Sequence, residues 1–245
     1  MHWESFYVDP QNVEEESLHF DEEETRHLHV LRKKAGDTVW AVNGKGTAFQ
    51  VRIDSIHKQV TQCTILERRR RLNEPTTQIT LAQGLIKGDR FDWLVEKSTE
   101  LGAHRIIPMV TEKSIVKPSA QKRNRWQRIA LSAMKQSGRT WLPDITESKT
   151  FKQVLSLSAG FSQNYMIEKT KESMPLSLLK KSETSHITQK ILILIGSEGG
   201  FAPSEIDEAK SFNFKLIHLG DRRLRAETAG IIALSLMLYE SDDMN

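Results

Sequence analysis

Glycine-rich loops that directly follow buried strands are places where a chain readily builds a ligand site, and this sequence has two of them. ILILIGSEGG (191–200) and KLIHLGDRRLR (215–225) each carry an apolar, β-branched run that stops at a glycine. Such runs read as buried parallel strands, and in an open α/β sheet ligands collect beyond the carboxyl ends of the strands. Ser197, Glu198, Gly199 and Gly200, together with residues 221–225, therefore lie where a cofactor would bind, given two strand tips side by side. Glycine at these positions permits positive φ and close approach of backbone amides to a ligand. A strand-to-helix turn with no ligand is the plainer reading of GSEGG taken alone. A second glycine-ended strand one helix length on, running into the nearly all-apolar stretch 226–239, favours a site.

Other common chemistries lack their residues. There is no GxxxxGK[ST] phosphate loop, no GxGxxG after a strand and no GxSxG elbow, which argues against a P-loop nucleotidase, a Rossmann dinucleotide site and an α/β-hydrolase. His27 and His29 are two apart and so on different faces of a helix, and Cys63 is the only cysteine. Neither a zinc set nor an internal disulfide is expected. Net charge is only +3, yet it is unevenly spread: residues 14–16 and 21–24 are acidic, and Arg68 to Arg71 form a basic run. Eight Lys or Arg fall from Lys113 to Arg139, beside the single acid Glu112. Such a stripe is the footprint of a nucleic-acid surface, or else the solvated face of a helix.

The elements that must position these residues fall into two groups. Up to about residue 72 the pattern is of short strands around one helix. DTVWAV (37–42) and TAFQVRI (47–53) flank the turn NGKG (43–46), QCTIL (62–66) adds a strand, and residues 23–31 suit a helix. RRRRLNEP (68–75) reads as a linker. Beyond it strands and helices alternate, the mark of a parallel α/β domain. Strands are expected over 79–86, 105–110, 165–168, 191–195 and 215–219, and helices over 90–101, 124–136, from Pro203, and over 226–239. On the first of these helices Trp93, Lys97 and Glu100 share one stripe. With 245 residues, 27% charged and 38% hydrophobic, the chain has ample length for a core. Its longest apolar segment, 231–239, is too short to span a bilayer. The opening MHWESFYVDP lacks an export signature, so a cytoplasmic location is the default expectation.

IGSEGGF (195–201) and LGDRRLRAETA (219–229) resemble the paired C-terminal motifs of the RsmE family. These are bacterial 16S ribosomal RNA methyltransferases that act on N3 of a uridine, within the knotted SPOUT superfamily. KGDRFDWLVEKSTELG (87–102), RWQRIA (125–130) followed by QSGR (136–139), and HLHVLR (27–32) agree with the family, in order, along almost the whole chain. Ser197 departs from it, standing where the family usually carries proline, a change expected to alter loop rigidity more than chemistry. The resemblance implies an α/β protein in two domains. Residues 1–72 would form a PUA-like β-barrel RNA-binding domain, and 73–245 a SPOUT methyltransferase domain with a parallel sheet and a trefoil knot, a rare exception to ordinary chain topology. It also implies S-adenosylmethionine as cofactor, 16S ribosomal RNA within the small ribosomal subunit as partner, a homodimer, and neither membrane nor metal.

Carried over residue by residue, Ile195, Gly196, Glu198 and Gly200 belong to the first cofactor loop, and Leu219, Gly220, Leu224, Ala226 and Thr228 to the second. Transfer to uridine N3 requires its proton to leave, or the resulting anion to be held, with the nitrogen in line with the departing sulfur. Glu227 is the first candidate for base or for orienting the sulfonium; as an acid in the first turn of a helix it equally suits the dipole. Glu100 is the second candidate, with a salt bridge to Lys97 as its competing role. Arg225 and Arg139 are candidates to hold the uridine anion or its phosphate, each with a structural ion pair as the alternative. Arg32, Lys33, Arg123, Arg125 and Arg128 are expected to contact RNA phosphates, positioning the substrate without reading its bases. Two rivals stay open: methylation of another RNA, such as a transfer RNA base, and an RNA-binding assembly factor with a vestigial pocket. Retention of both glycine loops argues against the second.

Overall fold

The computed structural model describes residues 5–176 and 188–244. The chain divides into two compact units, Met1–Glu74 with Leu131–Leu142, and Pro75–Ala130 with Pro143–Asn245. The sequence predicts a single break near residue 72; the assignment of 131–142 to the first unit has no signature in composition.

In the first unit β1 (Ser5–Tyr7), β2 (Ser17–Phe20), α1 (Glu22–Val30), β3 (Thr38–Val42), β4 (Thr47–Ile56) and β5 (Thr61–Arg70) follow one another. The strands make one sheet in the order β1-β3-β4-β5-β2, antiparallel except for β1 against β3. Asn43 builds the expected hairpin turn, its Oδ1 accepting from the amides of Lys45 at 2.9 Å and Thr47 at 3.1 Å. Phe6, Leu18, Phe20, Val51 and Ile53 meet Leu28 of α1 and Cys63 in one buried cluster. Burial, with the nearby charge of Asp54, pushes the Cys63 thiol up to about 12, so it packs and does not react. Asp21 caps α1 by accepting from the Glu24 amide at 2.9 Å.

The basic run at 68–71 is not coil. β5 continues through Arg70, with Arg68, Arg69 and Arg70 opposite Phe49, Ala48 and Thr47 of β4. The guanidiniums of Arg68 and Arg69 lie 5.6 and 5.3 Å from the ring centroids of Phe49 and Trp40. Stacking on aromatic faces lets arginine extend a strand where charge alone suggests a linker. Segment 131–142 is tied to this unit by two ion pairs, the half-buried Lys135 with Glu24 and the buried Arg139 with Glu74. Glu74 also accepts from the amides of Thr140 at 2.7 Å and Trp141 at 2.8 Å.

The second unit alternates as expected. Its elements are β6 (Gln78–Gly84), α2 (Arg90–Leu101), β7 (Arg105–Val110), α3 (Ala120–Ser137, its last turns in the first unit), β8 (Asp144–Ile145), β9 (Lys149–Thr150) and α4 (Phe151–Leu155). β10 (Gln163–Ile167), β11 (Met174–Pro175), β12 (Lys190–Ile195), α5 (Pro203–Ser211), β13 (Lys215–His218) and α6 (Ala226–Glu240) complete it. The sheet runs β11-β13-β10-β12-β6-β7-β8 with β9 beside β7, and its pairings are parallel. Every residue of β12 after Lys190 is buried, as befits a strand covered on both faces. Ala82, Ile107, Met166, Leu192 and Leu194 pack with Phe151 and Val154 of α4 and with Phe201, while α6 packs on α2, β6 and β12. Gly102 closes α2 at φ +115°.

One expectation about these strands is corrected. β12 and β13 are not neighbours, because β10 lies between them and pairs Ile167 with both Ile195 and Ile217. The two glycine-ended tips are thus two strand spacings apart, roughly 10 Å.

Candidate active site

Beyond the carboxyl ends of β12, β10 and β13 lies a cavity of about 580 Å³, within the range of small-molecule sites. Ile195 of β12 lines it with Gly196 just beyond, Ile167 of β10 with Glu168, and His218 of β13 with Leu219 and Gly220. Residues 197–200 and 221–226 add the loops, with Arg90 of α2 and Ala229 of α6.

The first loop is a tight turn in which the Gly200 amide donates to the Ser197 carbonyl at 2.9 Å, with Gly200 at φ +66°. A Cβ on Gly196 would lie 2.8 Å from the Gly200 carbonyl carbon, and one on Gly84 of β6 only 2.4 Å from the Ser197 nitrogen. Glycine at both places lets two strand ends and the loop close on one another. Gln83, fully buried, donates from Nε2 to the Gly196 carbonyl at 3.2 Å. Outside the turn, Ser197 Oγ donates to the Lys113 carbonyl at 3.3 Å and Lys113 Nζ to the Phe201 carbonyl at 2.8 Å. The Ser197 hydroxyl thus ties the loop to the chain after β7. In the second loop Gly220 takes φ +92° and donates its amide to His218 Nδ1 at 3.2 Å.

Five cations line this cavity, Arg90, Lys169, Arg222, Arg223 and Arg225, against three carboxylates, Glu168, Glu198 and Asp221. Glu198 accepts from the Lys87 amide at 2.9 Å and from Arg90 Nη2 at 2.8 Å. Burial pushes its carboxyl up, but the backbone hydrogen bonds and the Arg90 charge together outweigh that and hold it below the ordinary value. Asp221 is held low by the hydrogen bond and charge of Lys169, 2.9 Å away. Glu168 differs: Oε2 accepts from the Phe201 amide at 3.2 Å, and among the described residues the carboxylate is in no ion pair. Arg222, Arg223 and Arg225 are exposed and make no ion pair among the described residues, leaving a positive rim for an anionic ligand. Among those residues no group of three or more His, Cys, Asp or Glu is placed to hold a metal ion.

Most of the residues expected in the two loops come together here. Ile195, Gly196, Glu198, Gly200, Leu219, Gly220, Leu224 and Ala226 line the cavity, as does Arg225, whereas Thr228 does not. Glu227, next to the lining Ala226 in the first turn of α6, is outside the lining; it is buried, and its Oε2 has no hydrogen-bond partner among the described residues. Glu100 is away from the lining and takes the competing role, its carboxylate 2.8 Å from Lys97 Nζ. Arg139 likewise takes its alternative: it is buried, with Nε 3.2 Å and Nη2 2.7 Å from Glu74 Oε2. Of the expected phosphate contacts, Arg32 and Lys33 follow α1, Arg32 exposed at φ +56°. Arg123 gives its Nε to the Ile145 carbonyl at 2.9 Å, Arg125 pairs with Asp92, and Arg128 is exposed. Sequence reasoning missed Glu168, Gly84, Gln83 and Lys113. Only Glu168 left a signal, as the acid that ends the strand expected over 165–168.

Residues 73–238 match the family described as RNA methyltransferase domain, and residues 20–65 that described as RNA methyltransferase PUA domain. A parallel α/β domain with glycine-hinged strand tips, joined to such a unit, is an RNA methyltransferase architecture. The chain is 33% identical over 231 residues to ribosomal RNA small subunit methyltransferase E of Synechocystis sp., covering 93% of this chain and 75% of that one. It is 31% identical over 233 residues to the Bacillus subtilis protein of the same name, covering 90% and 89%. A solved structure of ribosomal RNA small subunit methyltransferase E from Neisseria gonorrhoeae, bound to S-adenosyl methionine, matches with a TM-score of 0.83 at 31% identity over 97% of this chain and 98% of that one. A putative methyltransferase from Legionella pneumophila, in complex with the same cofactor, matches at 0.82 and 28% identity over 96% of each. The chain belongs to the ribosomal RNA small subunit methyltransferase E family.

Proposed function

We propose that this chain is an S-adenosylmethionine-dependent methyltransferase that methylates N3 of one uridine in 16S ribosomal RNA of the small ribosomal subunit. The observation that carries this is the pair of glycine turns on either side of β10, facing one cavity of about 580 Å³. The residues present fit the cofactor. Positions without a Cβ bring backbone groups close, Ile195, Leu219, Leu224 and Ala226 give an apolar lining, and Glu168 keeps acceptor capacity. When bound, S-adenosylmethionine supplies a methyl group on a positively charged sulfur. The chain's own residues bind, orient and handle the proton. Backbone groups of the turns at 196–200 and at Gly220 would hold the two ends of the cofactor, and Arg225 with Arg222 and Arg223 holds the uridine anion or a neighbouring phosphate. The carboxylate of Glu227, buried beside the lining Ala226 and outside the cavity wall, turns into the cavity to take the proton from N3, a task worth about 10²–10⁴-fold in rate.

The same proposal includes a homodimer. α6 buries Ala233, Leu234, Met237 and Leu238 but leaves Ile231, Ile232 and Leu236 partly exposed and Tyr239 54% exposed, the surface a twin copy would cover. It also includes the threaded, SPOUT-type knot around the cofactor loops and a cytoplasmic location; among the described residues no helix is long and apolar enough to cross a membrane. Tritiated methyl transfer to 30S particles and to naked 16S RNA, with mapping of the labelled base, is the test. A single N3-methyluridine is expected. Label at another base, or none on either substrate, would sink the assignment.

A further inference from the structure

Glu168 occupies the centre of the site and has no task in the chemistry above. It follows the carboxyl end of β10, the strand between the two glycine-ended ones, so each glycine turn is about one strand spacing, roughly 5 Å, to its side. A nucleoside long enough to touch both turns passes over this position.

The side chain is held in place before any ligand arrives. Oε2 accepts from the Phe201 amide at 3.2 Å, and Gly200 approaches so closely that a Cβ there would lie 3.0 Å from the same oxygen. The other two carboxylates of the cavity are occupied, Glu198 by Arg90 at 2.8 Å and Asp221 by Lys169 at 2.9 Å. Lys169, the cation next to Glu168 in sequence, is thus turned to the second loop. Oε1 of Glu168 has no hydrogen-bond partner among the described residues, although the residue is partly buried. A fixed, half-buried carboxylate with spare acceptor capacity matches two adjacent hydroxyl donors.

We propose that Glu168 is the ribose-reading residue of the cofactor site, its carboxylate accepting from the 2′- and 3′-hydroxyls of S-adenosylmethionine. This rests on the assignment of that cofactor to this cavity. Charge-assisted hydrogen bonds of this kind make a site discriminate against a ligand that lacks the hydroxyl.

The experiment is isothermal titration of S-adenosylhomocysteine and its 2′-deoxy and 3′-deoxy analogues into the full chain and into Glu168→Gln and Glu168→Ala. Glu168→Gln keeps an acceptor for the Phe201 amide, so the loop is retained while the charge is lost. The wild-type protein is expected to bind at least one deoxy analogue roughly ten- to a hundredfold more weakly than the parent. Both variants are expected to bind parent and analogues within about threefold of one another, because the lost partner no longer distinguishes them. Should the variants keep the wild-type ratio while weakening all three ligands together, Glu168 only holds the loop and the proposal is overturned. A changed ratio of S-adenosylmethionine to S-adenosylhomocysteine affinity with an unchanged deoxy ratio would place the carboxylate on the sulfonium and also overturn it. If the wild-type chain binds none of these ligands, the cofactor assignment itself fails, and the ribose contact with it.

Discussion

Glu227 is the residue whose surroundings and chemistry conflict most sharply. It is buried, and its Oε2 has no partner among the described residues, a condition that costs about 1–3 kcal/mol or more when nothing uses the atom. Such a cost persists where function employs the group. Glu227→Gln keeps the shape and removes the base, so single-turnover methyl transfer is expected to fall by about 10²–10⁴-fold with S-adenosylhomocysteine affinity unchanged. Unaltered turnover would return Glu227 to a purely structural place at the start of α6. Glu198 makes a prediction with a defined sign. Its carboxyl is held below the ordinary 4.5, so the clasp from α2 to the first loop is fully present above that value. It is lost as pH falls through the depressed folded value. S-adenosylhomocysteine affinity measured as pH falls from neutral to below the ordinary carboxylate value should drop, and Glu198→Gln should flatten the drop. Equal slopes would show the clasp to be irrelevant to binding. The resemblance names Glu198, whereas Glu227 is a candidate because the reaction needs a base near the second loop. That Glu100 and Arg139 instead spend their charges on Lys97 and Glu74 was settled by neighbours that linear spacing does not reveal.

At the scale of elements, the site depends on how closely β6 and β12 end beside the first loop. Gly84→Ala would place a methyl group 2.4 Å from the Ser197 nitrogen, and backbone cannot step aside as a flexible side chain can. Urea unfolding is expected to show a loss of about 1–3 kcal/mol, as for overpacked interiors, with S-adenosylhomocysteine binding weakened as well. Wild-type stability together with wild-type binding would mean the loop is free to shift. Most helices and strands of this unit were legible because their apolar periods are strong; α2 (Arg90–Leu101) and β7 (Arg105–Val110) coincide with their expected ranges. β1, β2, β8, β9, α4 and β11 were not read, being two to five residues long with too few apolar positions to show a period. The arginine run looks like a linker in sequence yet forms strand, because strand pairing and ring stacking, neither local in sequence, decide its conformation.

For the molecule as a whole, charge sets the encounter with RNA. Arg128 is exposed, while Arg125 would have to leave Asp92 to reach a phosphate. Reversing both, Arg125→Glu with Arg128→Glu, is expected to weaken 16S RNA binding and to reduce the slope of log affinity against log salt by roughly 1.5–2, one increment per lost phosphate contact. An unchanged slope would mean that these two arginines face solvent and not RNA. The division into two units was legible as a change of pattern near residue 72, but the return of 131–142 to the first unit was not. Contacts such as Arg139 with Glu74 join positions 65 apart in the chain.

The sequence by itself determined the two glycine-ended strands, the alternation that makes the sheet parallel, and the motif set that places the chain in its family. All of these are local patterns of residue type and spacing. Only the tertiary structure decided the order of the strands, and with it that β10 separates the two turns and brings Glu168 between them. Strand order comes from which apolar faces and backbone edges meet across long stretches of chain, and no local pattern encodes it.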